Sequence, residues 1–402
     1  MAKTYKILIA GAGLGGLAAA SCLLQDGHEV EIYEQAPELA EVGAGIQISA
    51  NGMHVLRHLG LGEAIARVGV RPGAYVFRLH DTGEEIQRFS LSEEHERLHG
   101  AAYTQLHRAD LHDILAARAR ALDPRVVRLR RKVTGVSESG DGVSLALADG
   151  STARGDLLIG ADGLKSAVRA QLFGAAPATY TGDAAWRLIV PVERLPPGLL
   201  EPVMSVFMGP GGHVVCYFLR AGALLNFVGL VETDEVSEEA WTVKFPWDAL
   251  KADFAGWHPI IQTIIDAADR DQCYRWSLHN RPPLARWSTG RVTLLGDSAH
   301  AMLATFGQGA NMAFEDAYVL AQWLSASAED PDTALAGYEA ARKPRATRVQ
   351  QLSRTEVHFK KLHSDWDRLR REFFFVTKFG STTGAIYKWI YGYDPVTQWQ
   401  GR

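Results

Sequence analysis

Cysteine is scarce in this chain, which limits both the chemistry and the expected compartment. The 402 residues include only three cysteines, Cys22, Cys216 and Cys273, and these are scattered without a CxxC pair. An odd number of isolated cysteines supports neither a disulfide framework nor a zinc site. We therefore expect buried, reduced thiols, no bound metal and a cytoplasmic location.

A long apolar run and a strong excess of charge are also missing. No window reaches the roughly 18 uninterrupted apolar residues of a membrane-spanning helix. The net charge of −4 gives no electrostatic reason to expect nucleic acid or an anionic membrane surface as a partner. With 47% hydrophobic and 22% charged residues, the chain has the composition of a globular protein. Its length predicts two domains, or one domain with a large insertion.

The N-terminal stretch carries the first motif. A short apolar run, Ile7 to Ala10, is followed by Gly11, Gly13 and Gly16, by an alanine- and leucine-rich segment, and by a second run that ends at Glu34. This order predicts a strand, a glycine turn, a helix and a strand, in which a pyrophosphate approaches the helix N-terminus. An acidic residue roughly 20 positions after the glycines can accept from a ribose hydroxyl. The motif predicts adenine-dinucleotide binding, with a structural turn as the alternative.

A second GxGxxG is missing. The nearest imitation, Gly209-Pro210-Gly211-Gly212, lies in a strand-rich region with no helix after it. A disulfide reductase with two dinucleotide sites needs a second such unit and a CxxC pair. The sequence therefore excludes that class.

Two further turns follow predicted strands. The strand Leu157 to Ile159 runs into Gly160-Ala161-Asp162-Gly163, and the run Arg291 to Leu295 ends in Gly296-Asp297-Ser298-Ala299-His300, which we predict to be a turn. An aspartate at the carboxyl end of such a strand can contact a ligand in the crevice of the sheet. The alternative is a helix cap, and for Asp162 this is the safer interpretation. The glycine-rich segment from residue 307 to 311 precedes a long helix predicted from Met312 to Leu324.

Between these motifs, glycines suggest a backbone that approaches a ligand. Gly43 and Gly45 precede a predicted helix for which Asn51 is a fair N-cap, and an ordinary loop is the alternative for the glycines. The alternation from Tyr75 to Arg88 predicts two strands joined by a hairpin. Arg108, at a strand-to-helix boundary, is either a contact to a phosphate or ring edge or a solvated side chain.

The segment from Tyr180 to Val231 loses helical periodicity and predicts a largely antiparallel sheet. A period of two places His213, Val215 and Tyr217 on one face of a strand. These side chains form either a pocket wall or a satisfied core pair. Downstream, the sequence predicts helix from Trp247 to Ala268.

The C-terminal part is predicted to be helical from about Asp332 to Phe375. It is followed by the aromatic stretch Tyr387 to Pro395. We expect this stretch to pack on another part of the fold.

Taken together, GAGLGG with Glu34, GADG with Arg169, and LLGDSAH with GQGAN resemble the three fingerprint regions of the single-component (group A) FAD-dependent aromatic hydroxylases. The likeness is greatest to the salicylate, 3-hydroxybenzoate 6- and 6-hydroxynicotinate 3-hydroxylases. It covers nearly the whole chain, including the tail from Tyr391 to Asp394.

The resemblance implies an α/β fold. A Rossmann-like FAD-binding domain would carry an inserted, mainly antiparallel β-sheet substrate domain and a helical C-terminal tail. We predict the FAD-binding domain at 1–75, 106–178 and 285–345. The substrate domain would comprise the strands at 76–105 and the β-sheet domain at 179–284, and the helical C-terminal region would span 346–402.

The resemblance also implies which residues contact FAD. The first glycine motif and its acidic residue would hold the pyrophosphate and ribose, and Arg108 would contact FAD. Asp162 and Gly163 would serve both FAD and the nicotinamide nucleotide, whereas Asp297 would bind the ribityl and pyrophosphate portion. The backbone from Gly307 to Asn311 would lie along the isoalloxazine. The complete predicted set is Gly11, Gly13, Leu14, Gly15, Gly16, Glu34, Gln35, Gly45, Gln47, Arg108, Asp162, Gly163, Asp297, Gly307, Gln308, Gly309, Ala310 and Asn311.

For the substrate, the resemblance singles out the predicted sheet strand. A histidine of related hydroxylases faces the substrate from this strand, so His213 is implied as the base and Tyr217 as a group that orients it or the substrate. One departure matters. Relatives commonly have a proline, sometimes followed by a histidine, where this chain has Ala304 and Thr305. These two residues are predicted to line the substrate site without a titratable group, so the chain must use another base or a different substrate.

The implied reaction uses NADH or NADPH as a transient co-substrate that reduces FAD. Oxygen then forms a flavin C4a-hydroperoxide, which hydroxylates a small aromatic substrate that is phenolic or N-heteroaromatic and carboxylated. The protein would orient the ring and exclude water. A homodimer is compatible with the sequence. The alternatives are a flavin monooxygenase acting on a non-acidic polycyclic or heterocyclic substrate, an oxygen-independent flavoprotein reductase, and a nucleotide-binding protein without catalysis.

Overall fold

The computed structural model describes residues 4–39, 44–140, 142–174, 178–236, 243–327, 330–359 and 384–399. The strands are β1 (Lys6–Ala10), β2 (Glu29–Tyr33), β3 (Gly45–Ile48), β4 (Ala74–Leu79), β5 (Glu85–Ser90), β6 (Thr104–His107), β7 (Val127–Arg128), β8 (Val133–Ser139), β9 (Gly142–Leu147), β10 (Thr152–Gly155), β11 (Leu157–Gly160), β12 (Thr179–Pro191), β13 (Met204–Gly209), β14 (Gly212–Leu219), β15 (Leu224–Glu232), β16 (Tyr274–Asn280), β17 (Ser288–Thr289) and β18 (Val292–Leu294).

The helices are α1 (Leu14–Gln25), α2 (Ala50–His58), α3 (Gly62–Val68), α4 (Glu93–His99), α5 (Arg108–Leu122), α6 (Ala167–Phe173), α7 (Trp247–Asp253), α8 (Pro259–Ala267), α9 (Asp297–His300), α10 (Gly309–Ala326), α11 (Pro331–Phe359), α12 (Gly384–Tyr391) and α13 (Pro395–Gln398). Short 3₁₀ turns occur at Val192–Arg194, Arg220–Gly222, Arg270–Gln272 and Ala304–Phe306. In the described part of the chain, none of the helices combines the length and apolar character needed to span a membrane.

The N-terminal glycine motif belongs to a six-stranded sheet in the order β17-β18-β11-β1-β2-β7. Its strands from β18 to β7 pair in parallel, and β17 joins antiparallel at the edge. Read from β7 to β18, the parallel strands follow the order 3-2-1-4-5 of a dinucleotide-binding fold. β1 and α1 are almost wholly buried, because an alanine- and leucine-rich helix can pack closely on an apolar strand. The predicted Rossmann-like unit is confirmed.

A seven-stranded sheet in the order β16-β12-β15-β14-β13-β4-β5 forms the second large layer. All its neighbouring strands pair antiparallel except β13 and β4. One face packs on α7 and α8, with Trp186, Phe227 and Ile264 in its core. The other face carries Met204, Val206 and Tyr217 and packs against Phe306 and the C-terminal Tyr391. The inserted, mainly antiparallel sheet is thus confirmed, and the aromatic tail packs on it as expected.

Several local predictions need correction. Asn51 is not an N-cap: Ser49 takes that position, and the Asn51 side chain is buried in contacts with α10. The segment after Gly296 forms the short helix α9 rather than a turn, and α10 begins at Gly309 rather than Met312. The helix predicted from Trp247 to Ala268 is divided into α7 and α8, because Gly256 between them has a left-handed φ of 78°.

Other predictions are confirmed or fall outside the described residues. The three cysteines are buried free thiols, and burial raises the pKa of Cys273 to about 11. Gly43 and the predicted end of the C-terminal helix at Phe375 lie outside the described residues.

Candidate active site

The three sequence motifs meet at one edge of the six-stranded sheet. β1, β11 and β18 are neighbouring parallel strands, so their carboxyl ends lie side by side. Gly11 follows β1, Asp162 lies just beyond β11, and Asp297 lies just beyond β18. Because strand order reverses between β1 and β11, this edge is the expected ligand crevice of the fold.

The glycine turn is packed from behind and open in front. Gly11 has a φ of 100°, and a Cβ built there would lie 2.5 Å from the Ala161 carbonyl oxygen. A Cβ on Gly16 would lie 2.1 Å from the Gly11 oxygen, so the start of α1 rests directly on the turn. A Cβ on Gly13, the N-cap of α1, would meet no described atom within 4 Å. The turn therefore leaves room for a ligand at the α1 N-terminus, where backbone N–H groups favour an anion.

Two neighbours of these glycines face inward. Leu14 is buried at the start of α1, and a Cβ on Gly15 would lie 2.8 Å from the Leu295 side chain. These residues hold α1 against the sheet and the segment after β18.

Glu34 is held at the end of β2 by the turn itself. Its Oε2 accepts from the Ala12 N–H and its Oε1 from the Ala36 N–H, each at 2.8 Å. A carboxylate has about four acceptor positions, so both oxygens can still accept from a ribose hydroxyl. Its neighbour Gln35 is exposed.

Asp162 binds the first turn of α6, whose N-cap position is held by Ser166. Its Oδ2 accepts from the Ala167 N–H at 2.7 Å and the Val168 N–H at 3.2 Å. Ser298 links this loop to α9, because its hydroxyl lies 3.2 Å from Asp162 Oδ1 and accepts from the Gly163 N–H at 2.8 Å. The second and third motifs are therefore one hydrogen-bonded unit.

Arg169 reinforces the same connection. Its buried guanidinium donates to the carbonyl oxygen of Ser298 at 3.1 Å. Arg169, which accompanies the second motif in the sequence, thus holds the backbone of the third motif by a hydrogen bond.

Asp297 is exposed at the start of α9, near the N-terminus of α10. A Cβ on Gly309 would lie 3.8 Å from Asp297 Oδ1, so this carboxylate adjoins the glycine-rich segment that includes the partly buried Ala310. The amides of Gln308 and Asn311 point into the protein instead. Gln308 donates to the Ser49 hydroxyl, and Asn311 donates to the carbonyl oxygens of Gln47 and Gly307. Any contact of Gln308 and Asn311 with a cofactor would come from their backbone.

β3 and β6 pair antiparallel and form a two-stranded ribbon. Arg108 begins α5 directly after β6, and its N–H donates to the Ala44 carbonyl at 2.8 Å. A Cβ on Gly307 would lie 2.7 Å from Gln47 Oε1, which places the glycine-rich segment against β3. The ribbon thus brings Arg108, Gln47 and Gly307 to one region.

The seven-stranded sheet reaches this ribbon through β14 and β15. Tyr217 lies against β3, because a Cβ on Gly45 would lie 2.4 Å from its hydroxyl oxygen, and Asn226 Oδ1 accepts from the Gly45 N–H at 2.9 Å. Burial raises the pKa of Tyr217 well above its usual value, and the Gln47 side chain offsets only part of this rise. Tyr217 therefore stays a neutral hydroxyl near neutral pH and cannot serve as the base.

His213 lies on the same sheet face as Tyr217. The two side chains are 3% and 4% exposed, so little of either is open to solvent. In register, His213 sits opposite Met208 on one side and Leu230 on the other. Both of these strand neighbours are apolar.

Ala304 and Thr305 form part of a 3₁₀ turn before Gly307. Ala304 is exposed, whereas the Thr305 hydroxyl donates to the Ser353 carbonyl of α11 at 2.9 Å. The Thr305 hydroxyl is thus used to fasten the turn to α11.

Comparison with known proteins agrees with this geometry. A family model described as FAD binding domain matches residues 4–353. A 3-amino-4-hydroxybenzoate 2-monooxygenase of Streptomyces platensis is 38% identical over 392 residues, which cover 97% of this chain and 96% of the relative. A 6-hydroxynicotinate 3-monooxygenase of Pseudomonas fluorescens is 36% identical over 362 residues, covering 88% and 91%.

The chain belongs to the FAD-dependent aromatic hydroxylases. Solved structures match as well: Klebsiella pneumoniae HpxO complexed with FAD and uric acid has a TM-score of 0.81 and 31% identity, over 91% of this chain and 92% of that one. A salicylate hydroxylase substrate complex has a TM-score of 0.80 and 26% identity, over 98% and 97%. The hydroxylase uses FAD, with NADH or NADPH as co-substrate.

FAD fits the residues of this hydroxylase. The opening at Gly13, the N-terminus of α1 and the two acceptor oxygens of Glu34 suit a pyrophosphate and a ribose. The second and third motifs border the same edge of the sheet.

The sequence did not reveal two polar residues that contact the β3–β6 ribbon at the candidate site. Tyr103 donates its hydroxyl to Gln47 Oε1 at 2.8 Å, and Asn226 holds the Gly45 N–H. Tyr103 lies just before β6, and its neighbours in the sequence gave no indication of a functional role. Asn226 is a single polar residue within the apolar run of β15, and that interruption was the one available signal.

A buried charge cluster also went unnoticed. Glu315 and Asp316 of α10 face Arg342 and Arg345 of α11, with Arg342 Nη1 2.6 Å from Glu315 and Arg345 Nε 2.7 Å from Glu315. His300 Nε2 lies 2.5 Å from Asp316 Oδ2. Burial alone would raise the pKa of Asp316, but His300 and Arg342 lower it below its usual value. Two acidic residues within a buried helix were the signal that could have revealed this cluster.

Proposed function

We propose that this enzyme hydroxylates a small, carboxylated phenolic or N-heteroaromatic ring. The observation that carries the proposal is the contact of Tyr217 with the β3–β6 ribbon. This contact brings the sheet face that bears His213 next to Gln47 and the Gly307 segment. Relatives that share more than a third of their residues with this chain carry names of monooxygenases for such rings.

FAD, when bound, would supply the redox chemistry with NAD(P)H and oxygen. The α1 N-terminus and Glu34 would hold its pyrophosphate and ribose, and Asp297 would lie near the ribityl chain. Arg108 and the second motif, Asp162 with Gly163, complete the proposed set around the cofactor. The remaining predicted residues would contribute backbone contacts.

Gln47 would orient the Tyr217 hydroxyl. Its Oε1 accepts from the Tyr103 hydroxyl, so its amide nitrogen would be the group that donates towards Tyr217. The Tyr217 oxygen would then accept, and its proton would stay available for an acceptor on the substrate. We assign this acceptor to a carboxylate or a ring oxygen.

His213 would take the proton of the ring hydroxyl at one imidazole nitrogen. Tyr217 is neutral, and neither Ala304 nor Thr305 titrates, so the histidine is the base that this sheet face offers. A deprotonated ring oxygen makes the ring more electron-rich, which favours attack by an electrophilic oxygen.

The domain division belongs to the same proposal. We assign the segments 1–75, 106–178 and 285–345 to FAD binding and the segments 76–105 and 179–284 to the substrate. The six-stranded sheet, built from β1, β2, β7, β11, β17 and β18, and the seven-stranded sheet support this division, although β4 begins at Ala74. The buried free thiols support the proposed cytoplasmic location. A homodimer stays a prediction, which light scattering on the purified protein tests.

A second candidate substrate is a non-acidic heterocycle. Ala304 is exposed, and the Thr305 hydroxyl is engaged by Ser353, so this turn presents no titratable group. HpxO, a neighbour at 31% identity, is complexed with uric acid, which is a heterocycle without a carboxylate.

The test is a panel of aromatic compounds given to the purified, FAD-loaded protein. Phenolic acids, pyridine acids and neutral heterocycles are each scored for stimulated NADH and NADPH oxidation and for product mass. A hydroxylated acid with oxygen consumption supports the proposal. Product from the neutral heterocycles alone favours the second candidate, and oxidation of NADH that is coupled to reduction of the organic compound without oxygen would overturn both.

A further inference from the structure

The C-terminal helix α12 packs on two side chains of the candidate site. The ring centroid of Tyr387 lies 5.6 Å from that of Phe306, in the turn before Gly307. The ring of Tyr391 lies 5.9 Å from that of Tyr103, whose hydroxyl donates to Gln47. α12 thus supports the site from behind at two places.

A buried polar chain ties the same helix to the other side of this turn. Asn51 Nδ2 donates to Gln308 Oε1 at 3.0 Å and to Glu315 Oε1 at 2.6 Å. Arg345 donates to both Glu315 oxygens, at 2.7 and 2.9 Å, and to the Ile390 carbonyl of α12 at 2.8 Å. The helix end is therefore connected to Gln308 through four consecutive contacts.

Gly307 is consequently flanked by two residues that depend on one helix. Phe306 reaches α12 directly through Tyr387, and Gln308 reaches it through the polar chain. Phe306 and Gln308 are 4% and 1% exposed. Hydrogen bonds in such a buried environment are strong and directional, so the connection is stiff.

The end of α12 is anchored by a further contact. The guanidinium of Arg345 lies 4.3 Å from the centroid of the Tyr393 ring and 4.8 Å from that of Trp389. A guanidinium over aromatic faces is stabilised by the ring quadrupoles. Arg345 therefore fixes both the last carbonyls of α12 and the aromatic residues around them.

We propose that α12 is part of the substrate site and that Tyr387 is a positioning residue for the turn Ala304–Gly307. Tyr387 acts through Phe306: it fixes how closely this turn approaches a planar aromatic substrate, and so how large a ring the site accepts. The inference rests on the proposed function for the identity of the ligand.

Tyr387→Leu removes the ring against Phe306 while keeping an apolar side chain. We expect the dissociation constant for the most effective phenolic acid, measured from the change in flavin absorbance, to rise about fivefold or more. The amount of product formed per NADH oxidised should fall. The binding of larger rings should improve relative to the binding of smaller rings. The FAD dissociation constant should stay within about twofold, because the glycine turn and Glu34 are untouched.

Two matched variants separate positioning from stability. Tyr387→Phe keeps the ring and should restore acid binding and coupling. Lys388→Gln alters an exposed neighbour on the same helix and should change neither. If Tyr387→Leu leaves acid binding and coupling unchanged, or lowers FAD affinity, acid affinity and melting temperature together, Tyr387 has no positioning role.

One readout needs no substrate. Visible circular dichroism of bound FAD would report on the Gly307 segment, which is proposed to lie along the isoalloxazine. The spectrum should change in Tyr387→Leu but not in Tyr387→Phe. If the wild-type protein binds none of the aromatic acids, the proposed function fails. The dichroism then still decides the inference about α12, and an unchanged spectrum overturns it.

Discussion

Tyr217 rests directly on Gly45, and this contact joins the seven-stranded sheet to the β3–β6 ribbon. A Cβ on Gly45 would lie 2.4 Å from the Tyr217 hydroxyl oxygen and 2.6 Å from Cε2 of the ring. The backbone N–H of Gly45 is held from the same sheet by Asn226. Two strands that are far apart in the chain thus meet at a position where no side chain fits.

Gly45→Ala should therefore displace Tyr217. The forced shift should cost about 1–3 kcal/mol, lower the melting temperature and weaken binding of the aromatic substrate. Thermal unfolding and substrate titration check this. Gly62→Ala is the control, because its Cβ would lie 3.4 Å from Arg57, an ordinary contact. Equal melting temperatures for the two variants would contradict the prediction.

Glu34→Gln should weaken FAD binding. The carboxylate accepts from the N–H groups of Ala12 and Ala36, and an amide offers only one acceptor oxygen. Loss of one charge-assisted bond costs about 1.5–3 kcal/mol, which is roughly a tenfold or larger rise in the FAD dissociation constant. Fluorescence titration of the apoprotein measures it. Glu29→Gln, an exposed change on the same strand, should bind FAD as the wild type does.

His213→Ala should slow hydroxylation far more than it weakens FAD binding. Removing a general base costs about 10²–10⁴ in rate, whereas the glycine turn and Glu34 that would hold FAD are unchanged. Product formation under saturating NADH is compared with the FAD dissociation constant. Tyr217→Phe, which removes a neutral hydroxyl, should affect substrate binding more than the rate of the chemical step. Unchanged turnover in His213→Ala would refute the role of the base.

Acid should destabilise the fold through His95. Burial first, and the nearby charge of His99 second, lower the pKa of His95 to about 4. The folded form therefore stays neutral where the unfolded form already binds a proton. The associated stability is fully present above pH 6.5 and is lost progressively as pH falls from 6.5 to about 4.

Because one pKa unit is worth about 1.4 kcal/mol, the loss over this window is on the order of 3 kcal/mol. Urea unfolding at pH 7 and pH 5 measures the first part of this loss, which is about 2 kcal/mol. His95→Phe keeps an aromatic ring beside Tyr103 and Tyr391 and should show a smaller loss of stability between the two pH values. An equal loss in the variant would exclude His95 as the source.

The local predictions succeeded where neighbouring residues alone decide the structure. Gly11, Asp162 and Asp297 follow apolar strands, and the carboxyl ends of parallel strands must share an edge. The prediction that Asn51 is an N-cap was wrong because distant residues decide where its side chain lies. Its position suits a cap, but contacts with Gln308 and Glu315, more than 250 positions away, bury the side chain instead.

The sequence by itself determined the strand–turn–helix units, the alternation of β14 and the order of the three motifs, because these depend on backbone freedom and on periodic burial of apolar residues. Only the tertiary structure decided that Tyr103 meets Gln47, that Tyr217 rests on Gly45, and that α12 backs the Gly307 turn. These contacts join segments far apart in the chain. They arise from packing two sheets and a C-terminal helix together, and no local pattern encodes which distant surfaces are complementary.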